Sequence, residues 1–307
     1  MRGTVRNRLR PIIVVMALAL LSPGGAFAGA KLHGQGLLWR VEGFGYEPSH
    51  VFGTIHLSDE RILALPQPVL DAFDNSRAAL FELIVPGDGF VGLPQQMLLP
   101  HGVTLEEILG RQIYAQVAAA ARRYGFTTRQ IGRMAPGSLL FVFDQTASEW
   151  RRRTSGWIFL DHALQQEALA LGKPIYPLER VEEQAALLDN FGPRPPIGII
   201  LLVKAERALS LENDIEVLIQ DYLRRDLDAM MSREEAAIGR MPQDMQRIYK
   251  EYNRRLLDVR NHIMVRRMQP FLAQGRAFVA VGAAHLPGKE GVLHLLEGMG
   301  YTVTRVY

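Results

Sequence analysis

Four short apolar runs, far apart in the chain, each stop on an imidazole or a carboxylate. Phe52-Gly53-Thr54-Ile55 ends in His56, Ala79-Leu80-Phe81 in Glu82, Ile175-Tyr176-Pro177-Leu178 in Glu179, and Val281-Gly282-Ala283-Ala284 in His285. Runs of this kind, bounded by turn formers, are the pattern of strands buried on both faces in a sheet covered by helices. A polar group closing such a run is costly unless partnered or solvated, so it belongs at the carboxyl rim of the sheet, where α/β folds bind ligands. Two endings share the form Gly-x-x-His, at Gly53–His56 and Gly282–His285, each followed by leucine and a turn into helix. Glycine three residues before the histidine lets neighbouring backbone approach closely.

The intervening stretches fill out the architecture. Leu37–Val41 and His50–His56 read as strands joined by a turn over Gly43–Ser49, and Arg77–Leu83 as a strand closed by Pro86-Gly87. Ile175–Glu179 is a short strand whose internal proline points to a sheet edge. Ala277–Ala283 is a buried strand, and Tyr301–Tyr307 alternates as the last one. Helices are expected over Pro66–Asn75, with proline in the opening turn, over Thr104–Tyr124, over Gly156–Leu171 and over Gly288–Gly298. Thr104 and Glu107 form a capping-box pattern, and Gly125 ends that helix. Residues 180–273 are almost wholly helical in pattern, with Arg, Glu, Leu and Met at three- and four-residue spacing. The expected fold class is α/β. A central sheet is completed by N- and C-terminal strands, in one domain over residues 29–307, with a large helical insertion between them.

Arg2, Arg6, Arg8 and Arg10, an apolar run from Ile12 to Leu21, the breaker Ser22-Pro23-Gly24-Gly25 and the small-residue site Ala26-Phe27-Ala28 make residues 1–28 a secretory signal. The run is shorter than the roughly 20 residues a membrane span needs. The expectation is therefore an exported protein, periplasmic in a Gram-negative source, with no transmembrane segment after cleavage. Those four arginines outweigh the formal net charge of +3, so the remainder offers no electrostatic case for a nucleic-acid partner. The absence of cysteine excludes disulfides, thiolate zinc sites, iron–sulfur clusters and cysteine nucleophiles.

Two imidazoles and two carboxylates on one rim form a mixed nitrogen/oxygen site suited to Zn, Mn, Co or Fe. A divalent ion there lowers the pKa of a water for attack on a carbonyl, with a free carboxylate as base. One strand-end histidine alone reads as a hydrogen-bonded structural residue. Four such endings, two in matched form, turn the reading towards a site.

These residues also carry a family likeness. Gly53–Leu57, the helix after it and Phe81-Glu82 resemble the first block of the TraB/GumN family, within the Tiki/TraB/PrgY group. Asp161-His162-Ala163-Leu164, Ala168, Gly172-Lys173-Pro174 and Leu178-Glu179 resemble its middle block. Arg260-Asn261, Val279–Gly288 and Gly300–Val303 resemble its closing block, although Val259 and His262 stand where relatives often carry Glu and Arg. The resemblance implies an α/β fold with both Gly-x-x-His motifs lining one pocket. It also implies a metal-dependent hydrolase of peptide or protein substrates, because the Tiki relatives are metalloproteases. His56 and His285 match the metal or catalytic histidines, Glu82 the first-block acid, and Arg260 and Asn261 the arginine–asparagine pair.

The expected assignment places a divalent ion (Zn, Mn or Co) on His56, Glu179 and His285, with Glu82, Arg260 and Asn261 as catalytic residues. The sequence leaves the two glutamates interchangeable. Arg260 either stabilises an oxyanion, holds a substrate carboxylate through its planar fork, or forms a buried ion pair with Glu82 or Glu179. Two alternatives stand beside this: a metal-independent hydrolase of erythromycin-esterase type with His56 as base, and a non-catalytic binding protein serving polysaccharide export or haem. Asp161 is expected to cap or orient a neighbouring helix, and His162 need not face the same way. His33, His50, His101 and His294 show no partner pattern. Trp150, Trp157 and Phe159 read as core packing ahead of a substrate-groove lining, and Arg151-Arg152-Arg153 as an exposed charge run ahead of an anionic contact.

Overall fold

The computed structural model describes residues 31–84, 98–180, 182–184 and 196–307. The expected secretory segment and the Pro86-Gly87 strand stop lie outside the described residues. Within them, six strands form one mixed sheet: β1 (Leu38–Glu42), β2 (Ser49–Thr54), β3 (Ala78–Phe81), β4 (Ile175–Pro177), β5 (Ala277–Gly282) and β6 (Thr302–Arg305). They lie in the order β4-β3-β5-β2-β1-β6. β4, β3, β5 and β2 run parallel, whereas β1 is antiparallel to both β2 and β6. N- and C-terminal strands thus complete an α/β sheet, with a large helical region between them.

Burial follows the order. β3 is buried at every residue and β5 at all but its last, as central parallel strands covered by helices must be. β4 and β6 are the partly exposed edges, and Pro177, which cannot donate to a ladder, sits in β4. The sheet core is pinned by Phe278, which meets Phe73 edge-on at 5.1 Å and Phe52 at 6.0 Å between ring centroids. A second buried cluster, including Leu105, Ile131, Met134, Leu139, Ile200 and Tyr249, is built mainly from helices and includes no strand of the sheet.

Several helix boundaries differ from the sequence expectation, and glycine explains them. The span expected as one helix from Thr104 to Tyr124 divides into Leu105–Leu109 and Arg111–Arg122, because Gly110 takes φ +78° between them. The Thr104/Glu107 capping box is present. Gly156 (φ +90°) delays the next expected helix to Leu160–Ala170, and Gly288 (φ +92°) precedes a helix that begins at Val292. Helical structure also extends before residue 180, with Thr128–Arg133, Pro136–Phe143 and Ala147–Thr154 packed into the second cluster. No helix among the described residues is long and apolar enough to cross a membrane.

Candidate functional site

Four parallel strands deliver their carboxyl ends to the same side of the sheet. The register aligns Phe81 with Pro177 and Ala280, and Thr54 with Gly282. Glu179 follows β4, Glu82 follows β3, and His56 follows β2. His285 closes the single 3-10 turn Ala283–His285 after β5. The polar endings read from sequence therefore stand along one rim in the order Glu179, Glu82, His285, His56. Backbone bonds from Leu178 N to Phe81 O (2.7 Å) and from Glu179 N to Glu82 O (2.9 Å) carry the pairing past the strands into the site.

Gly53 accounts for the contact between the two histidine motifs. A Cβ there would lie 2.7 Å from Leu286 Cδ1 and 3.1 Å from Ala283 Cα, so only glycine lets β2 lie against the turn after β5. The Tyr222 hydroxyl donates to Gly53 O at 2.8 Å, fixing the same point from the helix Pro196–Leu223.

The acidic half of the rim is closed. Arg260, in the first turn of helix Arg260–Leu272, donates from Nε to both Glu179 oxygens at 3.0 Å, and from Nη2 to Glu179 Oε2 and Glu82 Oε2 at 2.7 Å each. Its Nη1 reaches Leu256 O at 3.1 Å, in the π-helical turn Arg255–Val259 that leads into the helix. Of the roles left open for Arg260, the structure places it in the buried ion pair, with both glutamates at once. Charge-assisted bonds of this density offset the desolvation of three buried charges. The Glu179 side chain, 1% exposed, also accepts from Gln184 at 3.1 Å.

Glu82 differs from Glu179 in facing the histidines. Its Oε1 accepts the Gly282 N–H at 2.6 Å and lies 3.4 Å from His285 Nε2. Burial opposes its charge, but the neighbouring His285, Arg260 and His56 and the Gly282 N–H outweigh that cost and hold the carboxyl well below the usual range.

The two histidines are tied in the same way to different partners. His285 Nδ1 lies 2.6 Å from Asn261 Oδ1, and Asn261 Nδ2 donates to Glu290 O at 2.7 Å. With the amide nitrogen committed to a carbonyl, Asn261 presents its oxygen, so His285 carries its proton on Nδ1 and leaves Nε2 bare. Burial pushes the His285 pKa down to about 4, against the charge of Glu82 and with help from Arg260 and His56. A bare nitrogen and a carboxylate oxygen thus face each other across 3.4 Å.

His56 Nδ1 lies 2.8 Å from Asp161 Oδ2, while the Thr54 hydroxyl donates to Asp161 Oδ1 at 2.6 Å. Partial burial lowers the His56 pKa, but Asp161 and Glu82 more than compensate and Arg153 opposes them, giving about 8. The other side of the ring is open, since 52% of the side chain is exposed. Phe159 stands edge-on to it at 5.7 Å.

Asp161 therefore does not cap a helix, one of the two roles the sequence suggested. Its helix has no side-chain cap, and the carboxylate is committed to Thr54 and His56. An acid in the first turn of a helix is so ordinary that nothing local marked it. The charge run also divides: Arg151 and Arg152 are exposed, but Arg153 is half-buried against Phe159. Phe159 lies beside the site, Trp157 is exposed, and Trp150 packs on the helical cluster. His162 turns to Gln166 at 3.2 Å. His33 and His294, which showed no partner pattern, flank Glu297 at 3.1 and 3.2 Å.

Metal-ligating histidines keep one ring nitrogen for the ion and tie the other to an acceptor. His56 and His285 both have Nδ1 tied, and Glu82 Oε1 adds an anionic oxygen. This donor chemistry fits a divalent ion such as Zn, Mn or Co. Among the described residues, no group of three His, Asp or Glu side chains stands ready as a metal cluster.

The sequence model of the TraB/PrgY/gumN family matches residues 37–305. The chain is 27% identical over 300 residues to a protein named Metalloprotease TIKI1 of Danio rerio, covering 83% of this chain and 60% of that one. It is 27% identical over 301 residues to Metalloprotease TIKI1 of Homo sapiens, covering 83% and 59%. It is also 24% identical over 258 residues to the uncharacterized protein YbaP of Shigella flexneri, covering 82% and 89%. The chain thus spans about three-fifths of the length of these TIKI relatives. No solved structure matches it.

Proposed function

The chain belongs to the TraB/PrgY/gumN family, and on that premise we propose that it is an exported, metal-dependent hydrolase of peptide bonds. One observation carries this reading: two imidazoles with anchored Nδ1 atoms share a rim with the ionised carboxylate of Glu82. His56 Nε2, His285 Nε2 and Glu82 Oε1 are the atoms that would hold the ion. A divalent ion supplies Lewis acidity and a bound water of lowered pKa.

The surrounding residues prepare those donors. Asn261 fixes the His285 tautomer, and Asp161, itself held by Thr54, orients His56. Arg260 fixes Glu82 Oε2 and keeps the carboxylate charged. A carboxylate with so low a pKa is a weak proton acceptor, which suits Glu82 to binding a cation better than to acting as a base. Glu179, covered by Arg260 and Gln184, supplies the counter-charge that holds Arg260. Arg260 and Asn261 are then positioning residues. The names of the TIKI relatives support peptide or protein as the substrate class.

The test is cleavage of a peptide mixture by the full chain, read by mass spectrometry. Chelation is expected to abolish cleavage, one of Zn, Mn or Co to restore it, and His56→Ala or His285→Ala to reduce it at least about 100-fold. Cleavage that survives both chelation and His56→Ala overturns the reading. The 2.8 Å His56–Asp161 contact and the half-open ring favour a second reading, in which His56 acts as general base towards water. Full turnover by rigorously metal-free protein would select it.

A further inference from the structure

Arg153 lies at the end of helix Ala147–Thr154, within the electrostatic reach of His56. Its guanidinium carbon sits 4.1 Å from the centroid of the Phe159 ring, and that ring meets His56 edge-on. One nitrogen, Nη1, donates to the neutral Gln145 Oε1 at 2.6 Å. Among the described residues no carboxylate lies within ion-pair distance of it. Glu149, one turn earlier on the same helix, is where an exposed helical arginine ordinarily finds its counter-ion. Here Glu149 is buried with Oε1 lacking a hydrogen-bond partner, and the Arg153 guanidinium lies over Phe159 without forming an ion pair with Glu149. Asp161, the other nearby acid, is already held by Thr54 and His56. Burial costs the Arg153 charge more than Glu149 and Asp161 return, so its pKa lies below the ordinary arginine value.

A planar fork stacked on an aromatic face beside a candidate catalytic histidine, and lacking a carboxylate of its own, has the chemistry to take one from a ligand. We propose that Arg153 is a specificity-determining residue that binds a carboxylate of the peptide substrate against Phe159, next to His56. This inference rests on the peptide-hydrolase reading for the word substrate, but not for the binding itself. The carboxylate has two sources in a peptide, the C-terminus and an Asp or Glu side chain.

Binding of matched probes to the full chain tests it. The probes are pentaalanine as the free acid, pentaalanine as the C-terminal amide, and the amide with a central Glu or Gln. Affinities are read by isothermal titration, with peptide integrity checked by mass spectrometry. At least one carboxylate probe is expected to bind about tenfold or more tightly than its neutral twin. Preference confined to the free acid identifies the C-terminus, and preference confined to Glu over Gln identifies a side chain. Arg153→Gln should erase the difference, and Arg153→Lys, which keeps the charge without the fork, should retain part of it. Equal affinities for both pairs in the wild type overturn the proposal without recourse to any variant. So does a preference that survives in folded Arg153→Gln. A preference seen without any cleavage of any peptide keeps the Arg153 assignment and sinks the hydrolase reading instead.

Discussion

Gly53–His56 and Gly282–His285 leave adjacent parallel strands with the same Gly-x-x-His spacing, and they end in opposite electrostatic conditions. His285 is buried, tied to a neutral amide and beside the Arg260 guanidinium, and its pKa is pushed down to about 4. His56 is half-open, tied to a carboxylate, and raised to about 8. The motif fixes where an imidazole appears on the rim. Its surroundings fix its protonation: burial holds His285 neutral, whereas Asp161 on Nδ1 outweighs burial at His56. One half of the site is a closed network that the fold depends on, and the other is an open mouth where change should affect chemistry more than stability.

The largest break in that contrast is Arg260→Leu. It leaves Glu82 and Glu179 buried without a counter-charge, and the expected loss is about 3–5 kcal/mol in urea unfolding. A loss below about 1 kcal/mol would show that the acidic half is not a closed network. Next comes Gly53→Ala, whose new methyl meets Leu286 and the Ala283 backbone and should cost about 1–3 kcal/mol. Gly282→Ala meets only side-chain atoms of Glu82 and His285, at 3.2 and 3.5 Å, and should unfold closer to wild type. Asn261→Ala should cost about 1–3 kcal/mol by leaving the His285 Nδ1–H unpaired.

Asp161→Asn is the sharpest in charge. By NMR of chelated protein, His56 should titrate near about 8 in the wild type and fall towards about 6.5 in the variant. An unmoved titration would separate His56 from Asp161. The two histidines also load stability with opposite sign. The His56 contribution is complete below its unfolded pKa and is lost as pH rises through about 8. Stability held by the neutral form of His285 falls as pH drops from its unfolded pKa through about 4.

The fold class and the rim residues were legible because apolar runs that stop abruptly on His or Glu leave few places for those groups. The order of strands was not, since β4, β3, β5 and β2 are joined through long helical crossovers whose paths no local pattern records. Glycine in a helical span was misread at Gly110, where the apolar spacing continues on both sides and only the backbone turns. Asp161 and Arg153 were missed for a shared reason. Each looks like an ordinary helix-surface charge, and only the packing of two helices against the mouth of the sheet turns them towards His56 and Phe159. The choice between Glu82 and Glu179 likewise needed the placement of Arg260, which sits between both but leaves only Glu82 facing His285.

Titration of Zn2+, Mn2+ and Co2+ into chelated full-length protein, followed by calorimetry in the wild type, His56→Ala and His285→Ala, asks whether the two imidazoles act on one ion. The expected result is one equivalent bound by the wild type for at least one of these metals, with that binding lost in each variant. Unchanged binding in both variants, or none in the wild type, would contradict a shared site.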